Sequence, residues 1–211
     1  MKKLENNGER MDINFYNMNY DAFDMYQKSH YKRYELATTL INEDDIVGDM
    51  ACGSGYGSLM LSKKCKEVFG YDIDKTTIEE INQRYSAETN AKFIEKNLLD
   101  IDEENKFSKI VSFETIEHFT PEEIKSLIPI MHKALKSDGK LIFSTPYNQV
   151  ENQYSRVFHR TFYITESVIP QFLEGYFEVE KYFYQDYVSH NVVENIGKKD
   201  FIICIAKKIN G

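Results

Sequence analysis

The sequence is poor in the features that mark membrane spans, zinc clusters and disulfide frameworks. It has no tryptophan, and no apolar run approaches the roughly 18 residues that would cross a bilayer. Its three cysteines, Cys52, Cys65 and Cys204, are odd in number and fit no zinc-ligand spacing. The opening stretch MKKLENNGERMD lacks the apolar centre of a signal peptide. These absences predict a cytoplasmic protein with free thiols and no membrane partner.

Positively charged residues are also fewer than negatively charged ones. The chain has 26 Lys and Arg and 34 Asp and Glu, which gives a net charge of -8. An acidic surface repels phosphate backbones, so we expect no nucleic-acid partner. The sequence does contain 42% hydrophobic and 14% aromatic residues, which argues against a disordered chain. Its 211 residues suit one domain with a sizeable core.

Short apolar runs alternate with amphipathic segments along most of the chain. Seven runs have the character of strands: DIVGDM, EVFGYD, AKFIEKNL, FSKIVSFE, KLIFSTP, FEVEKYFYQ and DFIICIAKK. This alternation predicts an α/β fold, a doubly wound, mostly parallel seven-stranded sheet with helices on both faces. The last two runs are close in sequence, so we expect the last strand to be antiparallel.

Two helices are predicted with definite limits. The stretch from Tyr31 to Asn42 has apolar residues at helical spacing. A later helix should begin after a cap at Thr120, kink or split at Pro129, and end at Gly139.

Residues 1–30 differ from the rest because they are polar and rich in aromatic rings. They predict an N-terminal arm, or a lid over a ligand. No repeat or low-complexity linker interrupts the remainder, so residues 31–211 are expected to form a single domain.

The stretch DMACGSGYG places Gly53, Gly55 and Gly57 where a strand should become a helix. Glycines there let a ligand approach the backbone closely. Asp72 ends the next strand 19 positions after Gly53, the distance at which such folds place a carboxylate on a ribose diol. The third glycine comes too early for a dinucleotide turn, and Asp49 suits a cationic ligand. The pattern favours S-adenosylmethionine.

The strings DMACGSGYG, GYDID, VSFETIEHF and LIFSTP, in this order, resemble class I S-adenosylmethionine-dependent methyltransferases. The resemblance implies the Rossmann-like methyltransferase fold, with S-adenosylhomocysteine as the product of the cofactor. The strings GERM, HYKRY and STPYN are similar to a bacterial subgroup that accompanies polysaccharide and glycosyltransfer machinery. That subgroup often has Pro-Asn where this chain has Pro146, Tyr147 and Asn148. An acceptor-side insertion is expected around residues 146–165.

The resemblance implies roles for residues after the first two strands. Ala51, Gly53 and Gly55 should border the methionine part of the cofactor. Asp49 should anchor this loop or orient the ammonium group through water. Asp72 should bind both ribose hydroxyls.

The same resemblance implies further cofactor contacts. Ile73 should pack on the adenine, Asn97 should accept from its amino group, and Leu98 should offer its backbone amide. Glu114 should line the methionine pocket, chiefly through its backbone. Arg33 is a candidate for the cofactor carboxylate because a guanidinium binds carboxylates bidentately, although a solvated helix face explains it equally well.

Methyl transfer to a hydroxyl needs a base near the end of the fourth strand. Glu117 and His118 follow that strand, and His118 is preferred because an imidazole changes charge near neutral pH. His159, in the expected insertion, is the second candidate. A structural role for either histidine stays open. No His, Asp and Glu set has ligand-like spacing, so no metal is expected.

These features predict a methyltransferase that modifies a hydroxyl of a small molecule, most simply a sugar, a sugar nucleotide or a glycan. An N-methyltransferase of an aminosugar or another small amine is the first alternative. A cofactor-binding partner protein without catalysis is the second. The sequence leaves open whether the chain forms a homodimer.

Overall fold

The computed structural model describes residues 10–88 and 90–210, and it confirms the predicted seven-stranded sheet. The strands are β1 (Ile46–Met50), β2 (Glu67–Asp72), β3 (Ala91–Glu95), β4 (Phe107–Phe113), β5 (Leu135–Pro146), β6 (Phe177–Gln185) and β7 (Phe201–Lys208). They lie in the order β3-β2-β1-β4-β5-β7-β6. Strands β1 to β5 pair in parallel, and β7 is antiparallel to both β5 and β6.

Helices cover both faces of this sheet, as predicted. They are α1 (Met25–Thr39), α2 (Tyr56–Ser62), α3 (Lys75–Arg84), α4 (Pro121–Ala134) and α5 (Ile169–Leu173). Successive strand residues point to opposite faces. Ile110 therefore packs in the cluster under α4 and α5, whereas Val111 packs in the cluster under α1 and α2. In the described residues no helix combines the length and apolarity needed to cross a bilayer.

Helix α1 begins at Met25, earlier than the start at Tyr31 that the sequence predicted. The reason is a capping box at Asp24. Its carboxylate accepts from the backbone N–H of Tyr26 and Gln27, and the Gln27 side chain accepts from the Asp24 N–H. Polar residues that were assigned to the arm therefore form the first turns of a helix.

The sequence predicted that Pro129 kinks or splits α4. The split is wrong, because the helix runs unbroken from Pro121 to Ala134. A proline removes a hydrogen bond to the carbonyl four residues earlier, here that of Lys125 on the exposed face, where water can replace the donor. Gly139 does not end the helix, since β5 already starts at Leu135. Gly139 is buried in that strand, where a Cβ would lie 2.8 Å from the Leu135 Cδ2.

Part of the predicted arm packs against the domain. Residues 1–9 lie outside the described residues. Ile13 is 2% exposed, the Asp12 carboxylate lies 3.1 Å from the Arg84 guanidinium, and the Phe15 N–H donates to the Tyr85 hydroxyl at 3.2 Å. The segment therefore packs against the C-terminal end of α3.

Candidate active site

The carboxyl ends of the parallel strands open onto a cleft of about 1050 Å³. The strand order reverses between β1 and β4, and this switch point is where open α/β sheets bind ligands. Most of the residues singled out from the sequence line the cleft: Arg33, Ala51, Gly53, Asp72, Ile73, Asn97, Leu98, Glu114, Glu117, His118 and His159. Asp49 and Gly55 do not line it. The cleft therefore brings together residues from both the cofactor and the catalytic predictions.

The turn after β1 uses left-handed backbone. Ala51, Gly53 and Gly55 have φ values of 63°, 54° and 76°. Gly55 is the N-cap of α2, so it shapes the turn without entering the cleft. Gly57 has a different purpose, because a Cβ there would lie 2.1 Å from the Tyr34 Cζ. The third glycine of the motif therefore serves the packing of an aromatic ring on α2.

Asp72 holds its carboxylate at the rim of the cleft. One oxygen accepts from the Gly53 N–H at 2.9 Å, and the other accepts from the Asp74 N–H at 3.0 Å. The Arg10 guanidinium lies 3.6 Å away. Next to it, the Ile73 side chain is 69% exposed. A fixed carboxylate beside an exposed apolar side chain suits a ligand with a diol and a flat ring.

The end of β3 contributes a capped turn. The Asn97 amide oxygen accepts from the Leu99 N–H at 3.0 Å and so caps the turn Leu98–Asp100. The oxygen expected to accept from an adenine amino group is therefore already engaged, with one lone pair left. Leu98 is buried and lines the cleft.

Asp49 lies beneath the cleft, fully buried between the first two helices. Its carboxylate accepts from the Ser58 hydroxyl at 2.6 Å and from the Tyr34 hydroxyl at 3.0 Å. Burial raises the pKa of Asp49 to about 6, and the two hydrogen bonds oppose that rise. The side chain thus ties α1 and α2 to β1 beneath the turn.

A cation and an anion, Arg33 and Glu114, lie side by side in the lining of the cleft. The Arg33 Nη1 donates to the Gln185 Oε1 at 2.7 Å, and its guanidinium stacks 4.4 Å from the Phe201 ring centroid. The Glu114 carboxylate lies 4.0 Å from the Arg33 Nη2 and accepts from the Ser144 hydroxyl at 2.6 Å. Glu114 also has left-handed backbone, with φ 52°. This pair suits a ligand end that carries both an ammonium and a carboxylate.

Glu117, His118 and His159 meet on the remaining wall, and we call them the Glu117–His118–His159 cluster. Glu117 is 1% exposed, and the two imidazole centroids are 5.1 Å apart. The His118 Nδ1 lies 3.0 Å from the Phe158 carbonyl oxygen, and the His159 Nδ1 bonds to the Gln149 Oε1. The positions of these three residues along the chain did not indicate that their side chains would lie together.

Sequence reasoning missed a basic residue at the rim. Arg10 pairs with Asp74 at 3.0 Å and approaches Asp72, and it lies in a polar segment with no periodicity to place it. Lys199 and Tyr187 line the cleft from the connection between β6 and β7, which carries no motif. Of the aromatic side chains of the arm, Tyr26 lines the cleft.

Comparison with known proteins agrees with the geometry of the cleft. A family model described as a methyltransferase domain matches residues 47–139. The chain is 28% identical over 130 residues to a malonyl-[acyl-carrier protein] O-methyltransferase from Priestia megaterium, across 60% of this chain and 46% of that protein. It is 30% identical over 94 residues to a probable thiol methyltransferase 2 from Arabidopsis thaliana, across 43% and 42%. The chain spans about half the length of the curated relatives it matches.

A solved structure extends the likeness to the whole fold. The N-methyltransferase NodS from Bradyrhizobium japonicum WM9, in complex with S-adenosyl-L-homocysteine, aligns with a TM-score of 0.69 at 17% identity, covering 90% of each chain. At this identity the likeness concerns the fold. The strand order and the cleft at the switch point agree with this likeness, so the chain has the Rossmann-like methyltransferase fold, and its residues 47–139 match the methyltransferase domain.

Proposed function

We propose that the protein transfers a methyl group to a hydroxyl of a small-molecule acceptor, a sugar, a sugar nucleotide or a glycan. The observation that supports this most is that cofactor-side residues and the Glu117–His118–His159 cluster line one cleft of about 1050 Å³. That volume is at the upper end of ligand pockets, so it leaves room for an acceptor beside the cofactor.

The residues at the cleft fit S-adenosylmethionine. Asp72 would accept from the ribose hydroxyls, and the exposed Ile73 side chain would cover one face of the adenine. Arg33 and Glu114 would hold the carboxylate and the ammonium of the amino-acid end. Bound S-adenosylmethionine supplies an electrophilic methyl group, whose bond to sulfur breaks as the bond to the acceptor atom forms.

The acceptor side of the cleft has an imidazole that can serve as a base. Because the Phe158 carbonyl oxygen can only accept, the His118 Nδ1 donates to it, which makes Nε2 the nitrogen that would take a proton. We assign the acceptor proton to that nitrogen, with His159 in reserve. The buried Glu117 carboxylate would stabilise the imidazolium that results.

The lining of the acceptor side favours a hydroxyl-rich molecule. The cleft is lined by the polar side chains of Gln149, Arg160 and Lys199 and by the rings of Tyr147 and Tyr187. A mixture of donors, acceptors and aromatic faces suits a sugar ring. A role in polysaccharide biosynthesis follows as part of this proposal.

Amine methylation is the second candidate. It is favoured by the structural likeness to an enzyme titled as an N-methyltransferase. A neutral amine attacks through its own lone pair and needs less help from a base. It therefore predicts that His118→Ala retains turnover, whereas hydroxyl methylation predicts a loss of roughly 10²–10⁴-fold.

Calorimetric titration with S-adenosylmethionine tests the cofactor side. Asp72→Ala removes two charge-assisted hydrogen bonds, each contributing about 1.5–3 kcal/mol, so affinity should fall at least about tenfold. Asp72→Asn keeps an acceptor for the backbone of the turn and controls for its collapse. Asp138→Ala, an exposed acid in β5, is the charge-matched control. An unchanged dissociation constant for both Asp72 variants would refute the assignment.

Mass spectrometry of sugar nucleotides and glycans, with and without the protein, tests the acceptor. We expect a gain of one methyl group on oxygen in one of these pools. A methyl group gained on nitrogen would instead support the second candidate, amine methylation.

A further inference from the structure

The Glu117–His118–His159 cluster has the composition of a three-ligand metal site. One ligand atom from each side chain lies within 4.8 Å of the other two. Two imidazoles and a carboxylate suit first-row divalent cations, and three protein ligands leave coordination positions for other molecules. An ion with bonds of about 2.1 Å would draw its ligand atoms to roughly 3–3.5 Å apart, a contraction that rotation of the side chains can supply.

The groups around the cluster hold both imidazoles as a metal site requires. The His118 Nδ1 faces the Phe158 carbonyl oxygen, and the His159 Nδ1 faces the Gln149 Oε1. An oxygen acceptor at Nδ1 favours a proton on that nitrogen, which makes Nε2 the nitrogen of each ring that would coordinate an ion. Histidine ligands in metalloproteins almost always have such a partner on the second nitrogen.

The backbone joins the two chain segments that supply the ligands. The Glu117 carbonyl oxygen accepts from the Arg160 N–H at 2.7 Å and from the Thr161 N–H at 3.1 Å. The segment that carries His159 is thereby fixed to the turn that carries Glu117 and His118. A preorganised ligand set of this kind lowers the cost of binding an ion.

We propose that the cluster binds a divalent transition-metal cation of the Zn²⁺, Mn²⁺ or Co²⁺ class, and that an open coordination position takes the acceptor hydroxyl. This inference rests on the proposed function, because it concerns the acceptor side of the same cleft. An oxygen bound to such an ion releases its proton to water more easily, since the ion lowers its pKa. With the ion bound, His118 is a ligand and not the base assigned above, and the ion activates the hydroxyl in place of the imidazole.

The experiment uses the full chain, stripped with a chelator and titrated with Co²⁺, whose visible absorption reports its ligands. We expect one Co²⁺ per chain and its displacement by Zn²⁺. Glu117→Gln and His159→Ala should weaken binding at least about tenfold, and Gln149→Ala should weaken it about 10–100-fold by freeing a ligand ring. His132→Ala, on α4 outside the cleft, is the matched control and should bind Co²⁺ like the parent.

S-adenosylmethionine titration of the same samples separates this inference from the proposed function and shows that the variants are folded. Equal Co²⁺ affinity in the parent and Glu117→Gln would overturn the metal site, and methyl transfer that resists chelation would do the same. Either outcome, with cofactor affinity intact, leaves the proposed function standing. If Co²⁺ binds as expected but the Asp72 variants keep the parent's affinity for the cofactor, the metal site stands and the proposed function is refuted.

Discussion

Replacing Asp49 with asparagine should change how the free energy of unfolding depends on pH. Asp49 is fully buried, and burial raises its pKa from 3.8 to about 6. A carboxyl whose pKa is higher in the folded state contributes stability that is complete below pH 3.8 and is lost as the pH rises through 6. The difference between the two pKa values corresponds to about 3 kcal/mol, of which about 1.4 kcal/mol is lost between roughly pH 5 and 7.5.

Urea unfolding without cofactor, at several pH values in that range, measures the effect. Asparagine cannot ionise, so the parent should lose stability relative to Asp49→Asn by about 1.4 kcal/mol as the pH rises. The groups that face Asp49 are the hydroxyls of Tyr34 and Ser58, and Asp72 acts through its charge. The two hydroxyls and Asp72 are present in both proteins, so their contributions cancel when the free energies of unfolding are subtracted. Asp138→Asn, at an exposed site, should run parallel to the parent. A constant difference between parent and Asp49→Asn would refute the reasoning.

Two other substitutions test packing and charge away from the reacting groups. Gly57→Ala should lower the free energy of unfolding by at least about 1–3 kcal/mol, because the new Cβ would overlap the Tyr34 ring. Gly197→Ala, which meets nothing within 4 Å, should have little effect in the same urea assay. The Lys199 ammonium and two tyrosine hydroxyls hold the pKa of Glu166 at about 2, despite partial burial. The parent's stability advantage over Glu166→Gln should therefore be present above pH 4.5 and shrink as the pH falls towards 2. A stability advantage over Glu166→Gln that does not change with pH would contradict this reasoning.

The cofactor half of the cleft was predictable because its signals are local. Strand ends, a glycine turn and a carboxylate at fixed spacing place Gly53 and Asp72 without any long-range contact, and both line the cleft. Asp49 and Gly55 show the limit of this reasoning. They share the motif, yet one supports the turn from below and the other caps a helix.

The acceptor half was harder because it depends on contacts between distant segments. His159 reaches Glu117 only through backbone hydrogen bonds between a loop and a turn. No periodicity or spacing encodes such contacts. Arg10 is a similar case, since only the packing of the N-terminal segment on the domain brings it to Asp72. The unbroken helix at Pro129 shows that a local rule about proline does not by itself decide where a helix ends.

The two hydrogen bonds at the Glu117 carbonyl have an evolutionary consequence. They join main-chain atoms, so they do not depend on which side chains the loop carries. Residues 150–158 can therefore drift or be exchanged for a loop of other chemistry without moving the His159 imidazole. Random libraries confined to residues 150–158 would sample new acceptors on an unchanged cofactor site, which makes this loop the natural place to redirect the protein's specificity.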